Sequence, residues 1–221
     1  MKNGRTSIVA MVLLIFVMSG AVWAAGGAGH SGFLEDYPQF EPDKDRKGAM
    51  IYRMPGKDLK PYNKVMIDPV EIWIAPDSKY KGIKPDEMKV LADAFRQALV
   101  EALEPEYPVV SKPGPGVIGI RLAITNVHLA KKKRGLLGYT PVGLVVTTGM
   151  AVAGMNINLH SATIEVELLD AQSNERLGAL IDRQPDVEAK AKDKISWEGI
   201  ESTLRFYANR FRGRLDAEHG R

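Results

Sequence analysis

The chain has 221 residues, of which 45% are hydrophobic and 26% charged, and its formal net charge is +3. The hydrophobic share suits a folded domain with an ordinary core and argues against wholesale disorder, and the even mixing of acids and bases excludes a general nucleic-acid footprint. There is no cysteine, which excludes disulfides, thiolate metal sites and a cysteine nucleophile.

Residues 1–24 read as a secretory leader. Lys2 and Arg5 give a positive start, Ile8 to Met18 an apolar stretch, and "VWA" a small-residue cleavage site before Ala25. The competing reading is a retained anchor, because Thr6 to Gly29 carries no charge and is long enough to span a bilayer. Residues 25–62, rich in Gly, Pro and charge, are expected to form an extended arm whose aromatics can dock on the domain. A single α+β domain is expected over residues 63–217.

"NKVMIDPVEIWIAP" (63–76) predicts two short strands either side of Pro69, at an edge or a bulge. The clearest helix starts at Pro85, with Asp86 and Glu87 in its first turn and Met88, Leu91, Ala92, Phe95, Leu99, Ala102 and Leu103 at three-four spacing. "YPVV" reads as a short strand, "SKPGPG" as a turn, and "VIGIRLAITNVHL" as a long strand whose alternation changes phase at Thr125 and Asn126, as a β-bulge would produce. A hairpin follows, turning at "DAQSNER". The closing helix buries Trp197, Ile200, Leu204, Tyr207, Ala208, Phe211 and Leu215 and turns Arg205, Arg210, Arg212 and Arg214 to solvent. This order predicts an α+β two-layer sandwich: an antiparallel or mixed sheet of about five strands with two helices on one face.

Between the long strand and the hairpin lies an uncharged stretch, Leu136 to Asn156, behind the basic run Lys131, Lys132, Lys133, Arg134. Its sixteen residues from Tyr139 to Gly154 are too few, and too rich in Gly and Thr, for a comfortable membrane span. One reading is a loop or strand pair packed on the sheet. The other is an interaction surface, with Leu136, Leu137, Tyr139, Val142, Leu144 and Val145 as the apolar tip above the basic neck, docking on an envelope protein or an anionic membrane face.

No catalytic, cofactor or metal constellation stands out. His128 and His160 fall on predicted strands without a third ligand at diagnostic spacing. Ser161 lacks a glycine-flanked nucleophile elbow that would let it work with His160 and Asp170. Glu165 and Glu167 share one face of a strand and alternate with Ile164, Val166 and Leu168, which reads as a solvent face. "GPGVIG" (114–119) lacks the Lys-Ser/Thr of a phosphate loop and reads as a turn.

"SGFLEDYPQF" (31–40), "VMIDPVEIW" (65–73), "SATIEVELLDAQSNERLGALIDR" (161–183) and "RFYANRFRGRLD" (205–216) together resemble the exported bacterial family known as domain of unknown function 3313. The resemblance covers essentially the whole mature chain. It implies a Gram-negative envelope protein, commonly a lipoprotein, with no established activity. The chain departs from a lipoprotein leader at "MSGA" (18–21), where Ala21 stands in place of the lipidated cysteine, so no thioether-linked lipid can form. The expectation is therefore a non-enzymatic periplasmic binding or structural module without cofactor. The alternatives are a membrane-anchored component holding its N-terminal helix and an unrecognised hydrolase.

Overall fold

The computed structural model describes residues 30–79, 85–129, 157–158, 162–183 and 197–221. The strands are β1 (Glu41–Pro42), β2 (Ala49–Arg53), β3 (Lys64–Ile67), β4 (Glu71–Ile74), β5 (Val117–Leu129), β6 (Ile157–Asn158), β7 (Thr163–Asp170) and β8 (Arg176–Asp182). The helices are α1 (Pro85–Leu103) and α2 (Trp197–Glu218). From Ser31 onward the chain forms one compact unit.

The sheet is organised by β5, which is buried on both faces along most of its length. Its order is β1-β2-β8-β7-β5-β3, with β4 and β6 also paired to β5. β7 runs antiparallel to β5, while β3 and β4 run parallel to its first and second halves. The crossover through α1 explains the parallel pairing, because a chain that leaves a sheet by a helix returns in the same direction. Among the described residues the α+β architecture with two helices holds, and the sheet has eight strands against the expected five or so. The extra strands come partly from the stretch read as an arm: β2 pairs antiparallel with β8 from Ala49↔Asp182 to Arg53↔Gly178 and carries β1 on its outer edge. Residues 41–53 thus belong to the sheet, and a domain boundary at residue 62 falls inside the fold. The strands either side of Pro69 are β3 and β4, and "YPVV" contributes a single bridge, Val109 to Val65.

Both helices cover one face. Phe95, Leu99 and Leu103 of α1 and Ile200, Leu204 and Leu215 of α2 pack on Ile118, Ile120, Leu122 and Ile124 of β5. Each large aliphatic buried this way contributes on the order of 2 kcal/mol. The proline and acids at the start of α1 suit its N-terminus. At the other end of the chain α2 closes in a Schellman arrangement: Arg221 N–H donates to Asp216 O and Gly220 N–H to Ala217 O, with Gly220 at φ 70°. The opposite face of the sheet is covered by the segment from Ser31 to Phe40, whose Phe33 and Leu34 pack on Ala123, Ala179 and Ile181.

The phase change expected at Thr125 and Asn126 is a bulge. Asn126 is the exposed residue of β5 and has φ 54°, and the register against β4 shifts between Ile72 and Ile74 at that point. "SKPGPG" turns as expected. Gly116 sits at φ 69°, where a Cβ would lie 2.9 Å from the Pro61 carbonyl oxygen, so the turn excludes any larger residue there. Among the described residues, no helix is long and apolar enough to cross a membrane.

Candidate functional site

Three features of the described residues concentrate chemistry: a polar cluster under the N-terminal segment, an ionic cluster beside α2, and an apolar cavity between the sheet and α2.

The first cluster corrects the reading of Glu165 and Glu167 as solvent-facing. They do share a face of β7, but that face lies beneath residues 31–40, and the two are 1% and 3% exposed. Glu165 accepts from Tyr37 Oη at 3.1 Å and from Thr125 Oγ1 at 2.6 Å. Glu167 accepts from Arg121 Nη1 and from Arg176 Nε, each at 2.6 Å. Arg176 reaches on to Asp36 at 2.7 Å, and Phe33 lays its ring against the Arg121 guanidinium, 5.1 Å from ring centre to Cζ. Hydrogen bonding by Arg176 holds the Asp36 carboxyl below its ordinary range. Burial pulls the Arg176 guanidinium down, but its bonds to Asp36 and Glu167 outweigh this and raise it.

The second cluster corrects the reading of the α2 arginines as a solvated face. Asp182, fully buried at the end of β8, is paired with Arg46, whose guanidinium lies over the Phe206 and Tyr207 rings. Asp43, also buried, is held by both Arg210 and Arg214. Burial raises the Asp43 carboxyl, yet the Asp45 N–H and the two arginines prevail and lower it. Arg210 is lowered by burial and by the neighbouring Arg214, a sign of crowded cations. Arg212 donates to the Ala102 carbonyl, Glu106 and Asp216, which ties α2 to the end of α1. Arg205 alone fits the expected pattern, with an exposed contact to Glu201 one turn away.

The cavity has a volume of about 110 Å³. Its floor is the helix-side surface of β2, β8 and β7, including Ile51, Leu168 and Leu180, and its roof includes Phe95, Phe211 and Leu215. Arg53 of β2 and Glu218 of α2 pair at 2.7 Å across its rim, beside Arg210 and Arg214.

Of the residues singled out from the sequence, Lys131 to Arg134 and Leu136, Leu137, Tyr139, Val142, Leu144 and Val145 lie outside the described residues, as do His160 and Ser161. His128 lies on β5, with Nε2 3.1 Å from the exposed Asp77 carboxylate and Nδ1 3.1 Å from the Asn126 carbonyl. Asp170 is committed to the β7–β8 turn, where its Oδ1 accepts from the Gln172 and Ser173 N–H groups and its Oδ2 accepts from Tyr62 Oη. Among the described residues, no group of three or more His, Asp or Glu is placed to hold a metal ion. The participation of Tyr37, Asp43, Arg46 and Arg121 escaped sequence reasoning. The available signal was Arg121, a charge in the middle of an apolar strand, which demands a buried partner.

The described chain is thus an α+β domain that covers one face of a mixed sheet with two helices and the other with its own N-terminal segment, each side fastened by a buried ionic cluster. The chain belongs to the family described as protein of unknown function DUF3313, which matches residues 29–211. It is 26% identical over 147 residues to the Uncharacterized lipoprotein YdcL of Escherichia coli K12, an alignment covering 66% of each chain. Among solved structures, it is similar to a DUF4136 family protein from Bacteroides thetaiotaomicron, with TM-score 0.35, 10% identity and coverage of 79% of this chain and 98% of the other. A PelC dodecamer from Paraburkholderia phytofirmans gives TM-score 0.34, 12% identity and coverage of 74% and 97%. Likeness at this level assigns neither activity nor partner.

Proposed function

We propose that the protein is an exported, non-catalytic component of the bacterial cell envelope that works by binding. The observation that carries this reading is the way the buried acids are used. Glu165, Glu167, Asp43 and Asp182 each face two or more donors or cations from distant parts of the chain, so their charges fasten the fold. A general acid or base needs a carboxyl that can reach a substrate, and these buried carboxylates are instead engaged by hydroxyls and guanidiniums of their own fold.

Export is supported by the leader-like residues 1–24 and by the lipoprotein designation of the Escherichia coli relative. With Ala21 in place of a cysteine, this chain would reside in the envelope without a thioether-linked lipid. The segment Lys131 to Gly154, basic and then apolar, is the surface we assign to a partner protein or an anionic membrane face. The uncharged run from Thr6 to Gly29 supports a second reading, in which this N-terminal run stays attached as an anchor.

Expression of the full-length gene product in a Gram-negative host, followed by envelope fractionation and intact-mass measurement, separates these readings. A mass starting at Ala25 in the soluble periplasm is the expected result. A full-length mass that resists carbonate extraction would favour the anchor, and full-length protein in the cytoplasm would overturn export. Deleting Arg134 to Gly154 should abolish partner capture or membrane association while leaving the fold intact; unchanged capture would overturn the surface assignment.

A further inference from the structure

The helix-covered face of the sheet is packed unevenly. Over β5, Ile118, Ile120 and Ile124 are each 1% exposed. On the same face, Ile51, Val166, Leu168 and Leu180 remain only half-buried beside the cavity, and so does Phe211 above them. Gly178, opposite Arg53 in the sheet, adds no side chain to the floor. A domain that closes its core tightly around β5 but leaves four aliphatic side chains of neighbouring strands partly open has built a trough for apolar atoms.

We propose that this trough is a binding site for a single-chain amphiphile with an anionic head group, its acyl chain lying on Ile51, Leu168 and Leu180 and its head group meeting Arg53 and Arg214. The volume of about 110 Å³ is of the order of an engineered apolar cavity that takes up benzene, roughly 150 Å³, so the enclosed part seats the end of a chain and the half-open floor carries the rest. Head-group sign follows from the rim. Arg53, Arg210 and Arg214 line the cavity against one acid, Glu218. Asp43 offsets one guanidinium, and the Arg46–Asp182 pair behind it adds no net charge, so the rim retains one net positive charge. Arg53, whose side chain is 67% exposed, is the group best placed to meet a ligand from solvent. The proposal does not depend on export or on the absence of catalysis, and it fails independently of them.

The test is isothermal titration of detergent-free full chain with octanoate, decanoate, dodecanoate, dodecylammonium and lauroyl lysophosphatidylglycerol, each below its micellar concentration. One-to-one binding of the anionic amphiphiles is expected, tightening about fourfold per added methylene until the trough is filled. Dodecylammonium should bind at least tenfold more weakly. Leu180→Trp, which fills the trough, and Arg53→Glu, which reverses the rim, should each weaken dodecanoate at least tenfold, with folding checked by circular dichroism. Ile51→Phe serves as the second filling variant if Leu180→Trp does not fold. Tighter binding of the lysophospholipid than of dodecanoate points to a phospholipid source, and the reverse to free fatty acid. Silence with every anionic probe, equal binding of the cation, or indifference to both filling and rim variants overturns the proposal. So does a concentration-dependent dimer that the filling variant abolishes without any amphiphile binding, because the occupant is then a second copy.

Discussion

Tyr37 donates its hydroxyl hydrogen to Glu165 across 3.1 Å of space and 128 residues of sequence. That bond joins the N-terminal segment to β7 and helps satisfy a carboxylate that is 1% exposed. Tyr37→Phe keeps the ring and removes the donor, leaving Thr125 Oγ1 against Oε1. The expected loss is about 1–2 kcal/mol, read as a lower urea midpoint at unchanged slope. An unchanged midpoint would mean that this bond does not hold the segment down.

The buried pairs should outrank the surface ones. In the Arg46–Asp182 pair the side chains are 8% and 0% exposed, whereas in Lys89–Asp93 they are 73% and 61% exposed. Asp182→Ala strands a buried guanidinium and is expected to cost about 3–5 kcal/mol. Asp93→Ala should cost less than about 0.5 kcal/mol. Comparable losses in denaturant unfolding would contradict the burial of Asp182.

Acid should loosen the fold in a defined window. Besides Asp36 and Asp43, two further carboxyls are lowered. Asp170 is lowered chiefly by the Ser173 N–H, and Asp216 by Arg212 and Tyr107 against an opposing effect of burial. A carboxyl lowered in the native state contributes stability that is complete above its unfolded value and lost as pH falls through the native one. Stability should therefore hold from neutrality down to about pH 4 and decline below it. Urea midpoints measured between pH 7 and pH 3 check this; a decline complete by pH 5 would point to other groups.

At the alkaline end the sign reverses. Burial, helped by the bond to Asp170, pushes the Tyr62 phenol up to about 12. Tyr107 is raised by burial and Asp216, and Tyr207 by burial and Asp182. A phenol raised in the native state contributes stability below about pH 10 that is lost as pH climbs through its native value. Part of the tyrosinate absorbance should therefore appear only well above pH 10, together with unfolding. A single ordinary transition near pH 10 would contradict the burial of these hydroxyls.

The bulge at Asn126 can be tested by backbone preference alone. At φ 54°, Asn126→Gly should leave stability nearly unchanged, while Asn126→Val should cost about 1–3 kcal/mol. Thermal unfolding of the two variants side by side reads the difference, and equal behaviour would remove the bulge from β5.

Both helices were legible because Leu91, Phe95 and Leu99, and Ile200, Leu204 and Tyr207, repeat at helical spacing and are buried as that spacing requires. The β7–β8 hairpin was legible from its turn residues, and the bulge from a broken alternation. Glu165 and Glu167 were misread because an acid every second residue looks the same whether it faces water or a covering segment. What decides between the two lies in Tyr37, Arg121 and Arg176, up to 128 residues away. Residues 41–53 were missed for a related reason. Pro42 and Gly48 give turn signals, and the edge of β8 that turns Ala49 to Arg53 into a strand is remote in sequence.

The same remoteness sets the order in which the fold can be completed. Asp43 waits for Arg210 and Arg214, and Arg46 for Asp182, across gaps of 136 to 171 residues. A chain synthesised from its N-terminus therefore carries β2 and Arg46 without their partners until β8 has emerged, and Asp43 without its two arginines until the last helix follows. The N-terminal segment thus completes its buried contacts only once the C-terminal half of the domain is available, which places its docking among the long-range, slow steps of assembly.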